Sequence, residues 1–298
     1  MLPDPQLAPT YGNAVWLYVF RDFSGSAEDR AAERVSLRLG MTAYPQHLLI
    51  DPATMEILAD TGRSVESFLA AVGRARVEPK GEGAAKRIEE AEQRAAALEK
   101  SGAVAAARRA LDDPDVVVRY RALQILSGKE PEAIAERAEA LLATPHDPIR
   151  FEACRALRKA GEAKAAPFLE ALLARPGQSL NPNVLRIEAA GALGACGSAG
   201  SIGALAPFAA SGEYRNGLTG AAIDAIAAIA GRDKQARRPA RDALREAYPP
   251  PQKEESERRM VEALAKRVHA ALEQITGKRV AFPALYDEAA RAKLVKGW

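Results

Sequence analysis

The sequence predicts a mainly α-helical protein, an α-solenoid of helical hairpins preceded by a small α/β segment. Three observations predict it. Alanine is abundant and aromatic residues make up only 5% of the chain, which favours tightly packed helices over a sheet-rich core. Patterns typical of strands occur only within the first 61 residues. From Ala84 onward, similar helical segments recur at a period that indicates a solenoid.

The first domain, residues 1–75, is predicted to form a βαββα unit. We expect strands at 14–20, 46–51 and 56–61 and helices at 26–40 and 64–75. Ser64 is a typical N-cap for the last helix, because its hydroxyl can accept a hydrogen bond from a free backbone amide. Residues 76–83, "RVEPKGEG", break both periodicities with Pro and Gly. They are predicted to be a linker.

The second domain, residues 84–247, contains the repeats. Alignment of segments 118–128, 149–161, 185–197 and 218–231 places Arg119, Arg150, Arg186 and Thr219 in register, at steps of 31, 36 and 33 residues. A turn with Asp or Asn precedes each of the first three segments. A second helix follows, such as "EAKAAPFLEALLA" at 162–174. Each hairpin is therefore expected to bury its apolar face against its neighbours.

These repeats resemble the HEAT-repeat family. The resemblance lies in "DPDVVVRYRALQIL", "HDPIRFEACRALRKAGEAKAAPFLEALL" and "NPNVLRIEAAGALGACGSAGSIGALAPF". Small residues three apart would let adjacent helices approach closely; they are Ala153 and Ala156, Ala189 and Ala192, and Ala222 and Ala225. Two units depart from the pattern, the first with Ile125 at a small-residue position and the fourth with Thr219 in place of Arg. Both are expected to be distorted.

The third domain, residues 248–298, is predicted to be a capping helix, at about 254–274, followed by a tail. An open end of a solenoid would leave an apolar face in water. The ending, with "ITG" and the terminal Trp298, loosely resembles the tails of bacterial HEAT-repeat proteins. Trp298 is expected to fold back onto the capping helix, with a docking anchor as the alternative.

The first domain resembles the second half of a thioredoxin-like domain. The resemblance rests on the order of elements and on Tyr44-Pro45, which occupies the cis-proline position of that family. It implies a cis bond at Pro45 beside a Cys-x-x-Cys pair. No Cys precedes Cys154, so the reactive half and a central strand are absent. Either the natural start lies upstream of Met1, or this segment packs against the solenoid or against another chain.

Composition and motifs argue against an enzyme. Cys154 and Cys196 fall at packing positions, and His47, His146 and His269 have no neighbours at metal-ligand spacing. The glycines of 191–203, and Ser201 within "AGSIG", lack the preceding strand that a phosphate loop or a nucleophile elbow needs. We predict no catalytic residue, no metal and no cofactor.

The leading functional hypothesis is a non-catalytic scaffold for another protein. In the HEAT family the second helices line the concave face, which implies a binding surface there; its candidate residues are Arg137, Lys164, Glu170, Arg237 and Arg241. One alternative is a fragment of a thiol–disulfide oxidoreductase. The other, nucleic-acid binding, is disfavoured by net charges of −3 for 1–83, +3 for 84–252 and +3 for 253–298.

The expected location is the cytoplasm. No apolar run is long enough to cross a membrane, and "MLPDPQLAPTYG" has neither a basic start nor an apolar core. A periplasmic or secreted location would follow if the natural N-terminus lies upstream of Met1.

Overall fold

A computed structural model describes residues 5–10, 19, 24–41, 47–51, 57–62, 64–74, 84–176, 179, 182–211, 217–252 and 254–298. Their α-helices and strands have these bounds: α1 Ala27–Arg38, β1 Leu48–Ile50, β2 Ile57–Asp60, α2 Val65–Arg74, α3 Ala84–Ser101, α4 Val104–Ala110, α5 Val116–Lys129, α6 Glu132–Ala135, α7 Ala138–Ala143, α8 Asp147–Ala160, α9 Ala166–Ala174, α10 Pro182–Cys196, α11 Ile202–Ala209, α12 Leu218–Arg232, α13 Arg237–Glu246, α14 Glu255–Thr276 and α15 Glu288–Gly297. The chain divides into two compact units, Met1–Ala122 with His146–Pro148, and Leu123–Pro145 with Ile149–Trp298.

The first unit contains the predicted second and third strands, which pair antiparallel. Leu48 lies opposite Asp60, and Leu49 opposite Ala59. Thr61 fixes the end of this ladder, because its backbone N–H and its hydroxyl both donate to the carbonyl of His47 at 2.9 Å. The predicted N-cap at Ser64 is confirmed by a 3.1 Å hydrogen bond from the amide of Ser67.

Several predictions fall outside the described residues. Apart from Val19, the expected strand at 14–20 is not described, and neither are Tyr44-Pro45 or the linker at 76–83. The thioredoxin-like resemblance, the cis bond at Pro45 and the domain boundaries therefore stay predictions.

Helix α1 contacts α3 and the start of α5 through ion pairs. The guanidinium of Arg38 lies 3.1 Å from Oε1 of Glu92, and its side chain is only 8% exposed. Glu33 accepts from Nη2 of Arg121 at 2.5 Å. These ion pairs connect α1 with α3 and α5 within the first unit.

The second unit consists of helical hairpins stacked in two layers. The first helices of the hairpins form one layer, in which α10 packs on α12 and α12 on α14. The second helices form the other, in which α7 packs on α9, α9 on α11 and α11 on α13. This is the arrangement of an α-solenoid, as the sequence predicts.

Small residues set the spacing of the first helices. All six predicted packing alanines are at most 3% exposed: Ala153, Ala156, Ala189, Ala192, Ala222 and Ala225. Gly194 brings α10 closest to α12, because a Cβ on it would lie only 3.1 Å from the Cα of Ala225. Cys154 and Cys196 are buried free thiols in the same layer, which confirms their predicted packing role.

The second helices differ from the prediction in how they begin. In the last three hairpins, a 3₁₀ turn precedes the second helix, at Ala163–Ala165, Ala199–Ser201 and Lys234–Ala236. The first hairpin is distorted as expected, because its second helix is divided into the short helices α6 and α7. The fourth is not distorted: α12 runs without a break, and Thr219 is hydrogen-bonded to Ser211 at 3.0 Å.

The C-terminal residues fold back on α14, which packs against α12 and α13. Trp298 donates from its indole N–H to the hydroxyl of Tyr248 at 3.0 Å, and its ring lies edge-on to His269 at 5.1 Å. Burial raises the pKa of Tyr248 to about 12, so its hydroxyl keeps a proton to donate to Nδ1 of His269. Nε2 of His269 donates to the carbonyl of Val280 at 2.6 Å. The prediction that Trp298 folds back is confirmed.

Candidate interaction surface

Two of the arginines that mark the repeat register bind carbonyls at, or just after, the C-terminal end of α9. Arg150, 4% exposed, donates from Nη1 to the carbonyl of Pro176 at 2.6 Å. Arg186 donates from Nε to the carbonyl of Leu173 at 3.0 Å. The last carbonyls of a helix have no partner within it, and a guanidinium there also complements the helix dipole. The repeated Arg therefore has a structural role in these two hairpins.

The outward side chains of α8, α10, α12 and α14, here called the first-helix face, carry charges that pair with one another. Arg155 donates through Nε and Nη2 to Oε1 of Glu188 on the next hairpin, at 3.2 and 3.1 Å. Arg267 binds Asp224 in the same way, with an Nε–Oδ1 distance of 2.7 Å. Arg232 donates to the carbonyls of Gly194 and Gly197. These groups link successive hairpins.

A shallow cavity of about 700 Å³ on this face is lined by charged residues that the sequence analysis did not single out: Glu152, Arg155, Arg158, Lys159 and Glu188. Desolvation raises the pKa of Glu152, although the positive charges of Arg155 and Lys159 oppose the shift. Lys159 donates to the hydroxyl of Ser127 at 3.1 Å. The lining has three cations and two carboxylates, and two of the cations already have partners, Glu188 for Arg155 and Ser127 for Lys159.

The five residues predicted to bind a partner lie in the second-helix layer of the second unit. Arg137 precedes α7 and Lys164 lies in the 3₁₀ turn before α9, both exposed. Glu170 lies on α9 and is half-buried, and it accepts a 2.6 Å hydrogen bond from Ser201. Arg237 and Arg241 lie on α13. We call the outward side chains of α7, α9, α11 and α13 the second-helix face.

The repeat register places Glu170 and Arg241 at equivalent positions. Each lies eight residues after the residue that precedes its 3₁₀ turn, which is Glu162 in one hairpin and Asp233 in the other. The same position on the helix between them is Ala206. Because neighbouring helices lie roughly 8–10 Å apart, a carboxylate and a guanidinium flank an uncharged helix across this face.

The residues of α11 that are not buried are uncharged, and all but Phe208, which lies against Arg186, are small. The small ones are Gly203, Ala204, Ala206 and Pro207, and together with Ala210 at the C-cap they form what we call the neutral strip. With only small side chains on it, the strip lets another chain approach α11 closely. Loss of side-chain entropy on binding would be small here, since these residues have almost no rotamers to lose.

Helix α13 and the 3₁₀ turn before it carry a cation stripe formed by Lys234, Arg237, Arg238 and Arg241. Their spacing of i, i+3, i+4 and i+7 places them on one side of the helix. The first three are exposed, and within the described part of the chain no hydrogen bond or ion pair engages them. Arg241 binds its neighbour Asp242 at 2.9 Å. The sequence analysis chose Arg237 and Arg241 from this cluster and missed Lys234 and Arg238, although the helical spacing reveals them.

The described residues offer little for catalysis. Burial raises the pKa of Cys196 to about 11 and that of Cys154 further, so both thiols stay protonated near neutral pH. Ser201, 1% exposed, forms part of a capping box with Ser198 at the start of a 3₁₀ turn. Within the described ranges, no three His, Cys, Asp or Glu side chains come together as a metal site.

Comparison with known proteins supports the repeat assignment for part of the chain. The family model described as HEAT repeats matches residues 104–181, which include α8 and α9. No curated protein matches the chain. Of the helices that the structure describes, none has the length and apolar character needed to span a bilayer.

Proposed function

We propose that this protein is a non-catalytic scaffold that binds another protein along the second-helix face of its second unit. Proteins with HEAT repeats typically act through protein–protein interaction, and residues 104–181 match that family. The observation that carries the proposal is the neutral strip on α11, which lies between Glu170 and Arg241. It combines small, uncharged residues with a charged group on each side.

The first-helix face supports this choice of surface by contrast. Three of its arginines, Arg155, Arg232 and Arg267, pair with carboxylates or carbonyls of a neighbouring hairpin. A partner that used those arginines would first have to break contacts that hold the hairpins together. On the second-helix face, Lys234, Arg237 and Arg238 have no such contact to break among the described residues.

The redox alternative gains no support from the cysteines of this chain, because both thiols are buried and their pKa values are raised. It depends on a Cys-x-x-Cys pair upstream of Met1 and stays a prediction.

Site-specific photo-crosslinking tests the scaffold proposal. A photoreactive phenylalanine analogue at Ala206 is expected to form covalent adducts with a protein partner in native cell extract. The same analogue at Val184, which is 43% exposed on the first-helix face, serves as the matched control and is expected to form few adducts. Equal labelling from both positions, or labelling from Val184 alone, would contradict the proposal.

A further inference from the structure

The cations of α13 are not needed by the hairpin that carries them. In the hairpins before it, the position four residues after Glu162 or Ser198 is occupied by the buried residues Ala166 and Ile202. In the last hairpin this position is Arg237, which is exposed. The solenoid therefore places a charged, solvent-facing group where its own pattern calls for an apolar one.

The location of these cations also opposes the helix dipole. Arg237 and Arg238 are the first two residues of α13, whose first turn contains no acidic residue. Cations near a helix N-terminus are unfavourable, because the free N–H groups there carry positive partial charge. Their placement therefore reduces the stability of the isolated helix rather than adding to it.

Partners for these cations are missing on the same helix. Between residues 234 and 246 the acidic side chains are Asp242 and Glu246. Asp242 already binds Arg241, and Arg245 donates to the carbonyl of Val295. Lys234, Arg237 and Arg238 are left as an excess of positive charge next to the neutral strip.

We propose that the cation stripe binds carboxylates of an acidic protein segment, which then crosses the neutral strip of α11. This inference rests on the proposed scaffold function and specifies the chemistry of the partner. Guanidinium groups bind carboxylates through two parallel hydrogen bonds, so Arg237 and Arg238 suit Asp and Glu side chains. The negative charge of Glu170 on α9 repels carboxylates at the other side of the strip. The acidic end of the segment is therefore expected to lie at α13 and its neutral end towards α9.

A protein segment fits this surface better than a nucleic acid does. A phosphate backbone that crossed α9, α11 and α13 would need cations on several of them. The position equivalent to Arg241 is Ala206 on α11 and Glu170 on α9. Positive charge is thus concentrated at one end of the face, which matches a short acidic stretch followed by neutral residues.

Binding of a defined probe to the full chain tests the inference. The probe is a fluorescein-labelled dodecapeptide with four consecutive glutamates followed by neutral Gly, Ala and Ser residues, and fluorescence anisotropy measures its dissociation constant. We expect saturable binding that weakens as salt is added. A matched peptide with four glutamines in place of the glutamates is expected to bind at least tenfold more weakly.

Charge-reversed variants locate the site. The double substitution Arg237→Glu with Arg238→Glu is expected to weaken binding of the glutamate peptide at least tenfold. The control is Arg258→Glu with Arg259→Glu, another adjacent arginine pair, on α14, where both contact Glu255; it changes the net charge equally and should leave binding within twofold. Circular dichroism checks that both variants are folded, and reversal at α13 favours its helix dipole.

Three other results would overturn the inference alone, and a fourth would overturn the scaffold proposal as well. Equal loss in the two double variants would show a response to net charge alone. Tighter binding of a twelve-nucleotide oligothymidine than of the peptide would assign the stripe to phosphates. If no probe binds while Ala206 still crosslinks a protein, the partner is not acidic and the scaffold proposal stands. If both assays fail, both proposals fail.

Discussion

The two faces of the second unit differ in how many of their cations are paired within the fold. On the first-helix face, Arg155 and Arg267 bind carboxylates of the neighbouring hairpin. On the second-helix face, Lys234, Arg237 and Arg238 have no such partner in the described part of the chain. The difference teaches that a count of charges along a repeat does not locate a binding surface. A binding surface is better located by asking which charged side chains have no partner within the fold.

The largest expected effect on stability comes from a substitution at Gly194 in the first-helix layer, compared with one at Gly203 in the second-helix layer. Gly194→Val should reduce the free energy of unfolding by about 3 kcal/mol, near the upper end for overpacking, because the added Cβ would meet the backbone of Ala225. Gly203→Ala on the neutral strip should change it by less than about 0.5 kcal/mol, since nothing lies within 4 Å of its added Cβ. Urea unfolding measures both. Equal effects would show that the two layers are packed alike.

Two arginines provide the next comparison. Arg150→Met should destabilise the fold by about 1.5–3 kcal/mol, the range for a hydrogen bond from a charged group, because the carbonyl of Pro176 loses its donor. Arg237→Met removes an exposed side chain and should cost less than about 0.5 kcal/mol. Thermal or urea unfolding of the two variants is the measurement. A larger loss from Arg237→Met would mean that the cation stripe serves the fold.

High pH should lower the free energy of unfolding through Cys196, which is buried in the first-helix layer. The pKa of Cys196 is raised by burial to about 11 from 9.0, so the folded state holds the thiol proton more tightly than the unfolded state. The stability that this contributes is complete below pH 9 and is lost as pH rises towards 11. Unfolding measured across that range should show a steeper decline for the wild type than for Cys196→Ala. Identical slopes would contradict the burial of this thiol.

The smallest expected effect concerns an exposed ion pair. Asp224 and Arg267 link α12 to α14, but their side chains are 57% and 50% exposed. A double-mutant cycle with Asp224→Asn and Arg267→Gln should give a coupling of about 0.2–1 kcal/mol, reduced in 1 M salt. A coupling that salt does not change would indicate a packing contact instead of an ion pair.

The sequence was sufficient for the repeats because their signal is local. The predicted first helix at 149–161 corresponds to α8, Asp147–Ala160, and that at 218–231 to α12, Leu218–Arg232. Apolar periodicity and small packing residues lie within one segment, where a single sequence displays them. The 3₁₀ turns before the second helices were not predicted. The residues that precede these turns, Glu162, Ser198 and Asp233, differ in type, and no apolar pattern is shared by the three turns.

The role of each arginine could not be predicted in the same way. Arg150 and Arg237 both lie near the start of a helical segment, and nothing in the local sequence tells which of the two side chains is buried. Arg150 is buried because Pro176, 26 residues later, brings its carbonyl to the guanidinium. That contact depends on how the second helix ends and packs, which no local pattern contains. Three of the four cations of the stripe are visible in the sequence as "ARRPAR" at 236–241, but the sequence does not show that Arg237 and Arg238 lack partners.

Hydrogen–deuterium exchange of the full chain, with and without the glutamate peptide, tests the central claim most directly. The account predicts slower exchange on peptide binding in residues 202–210 and 234–246, with no change around Glu152–Lys159 on the first-helix face. Slower exchange confined to the first-helix face, or spread equally over both faces, would contradict it.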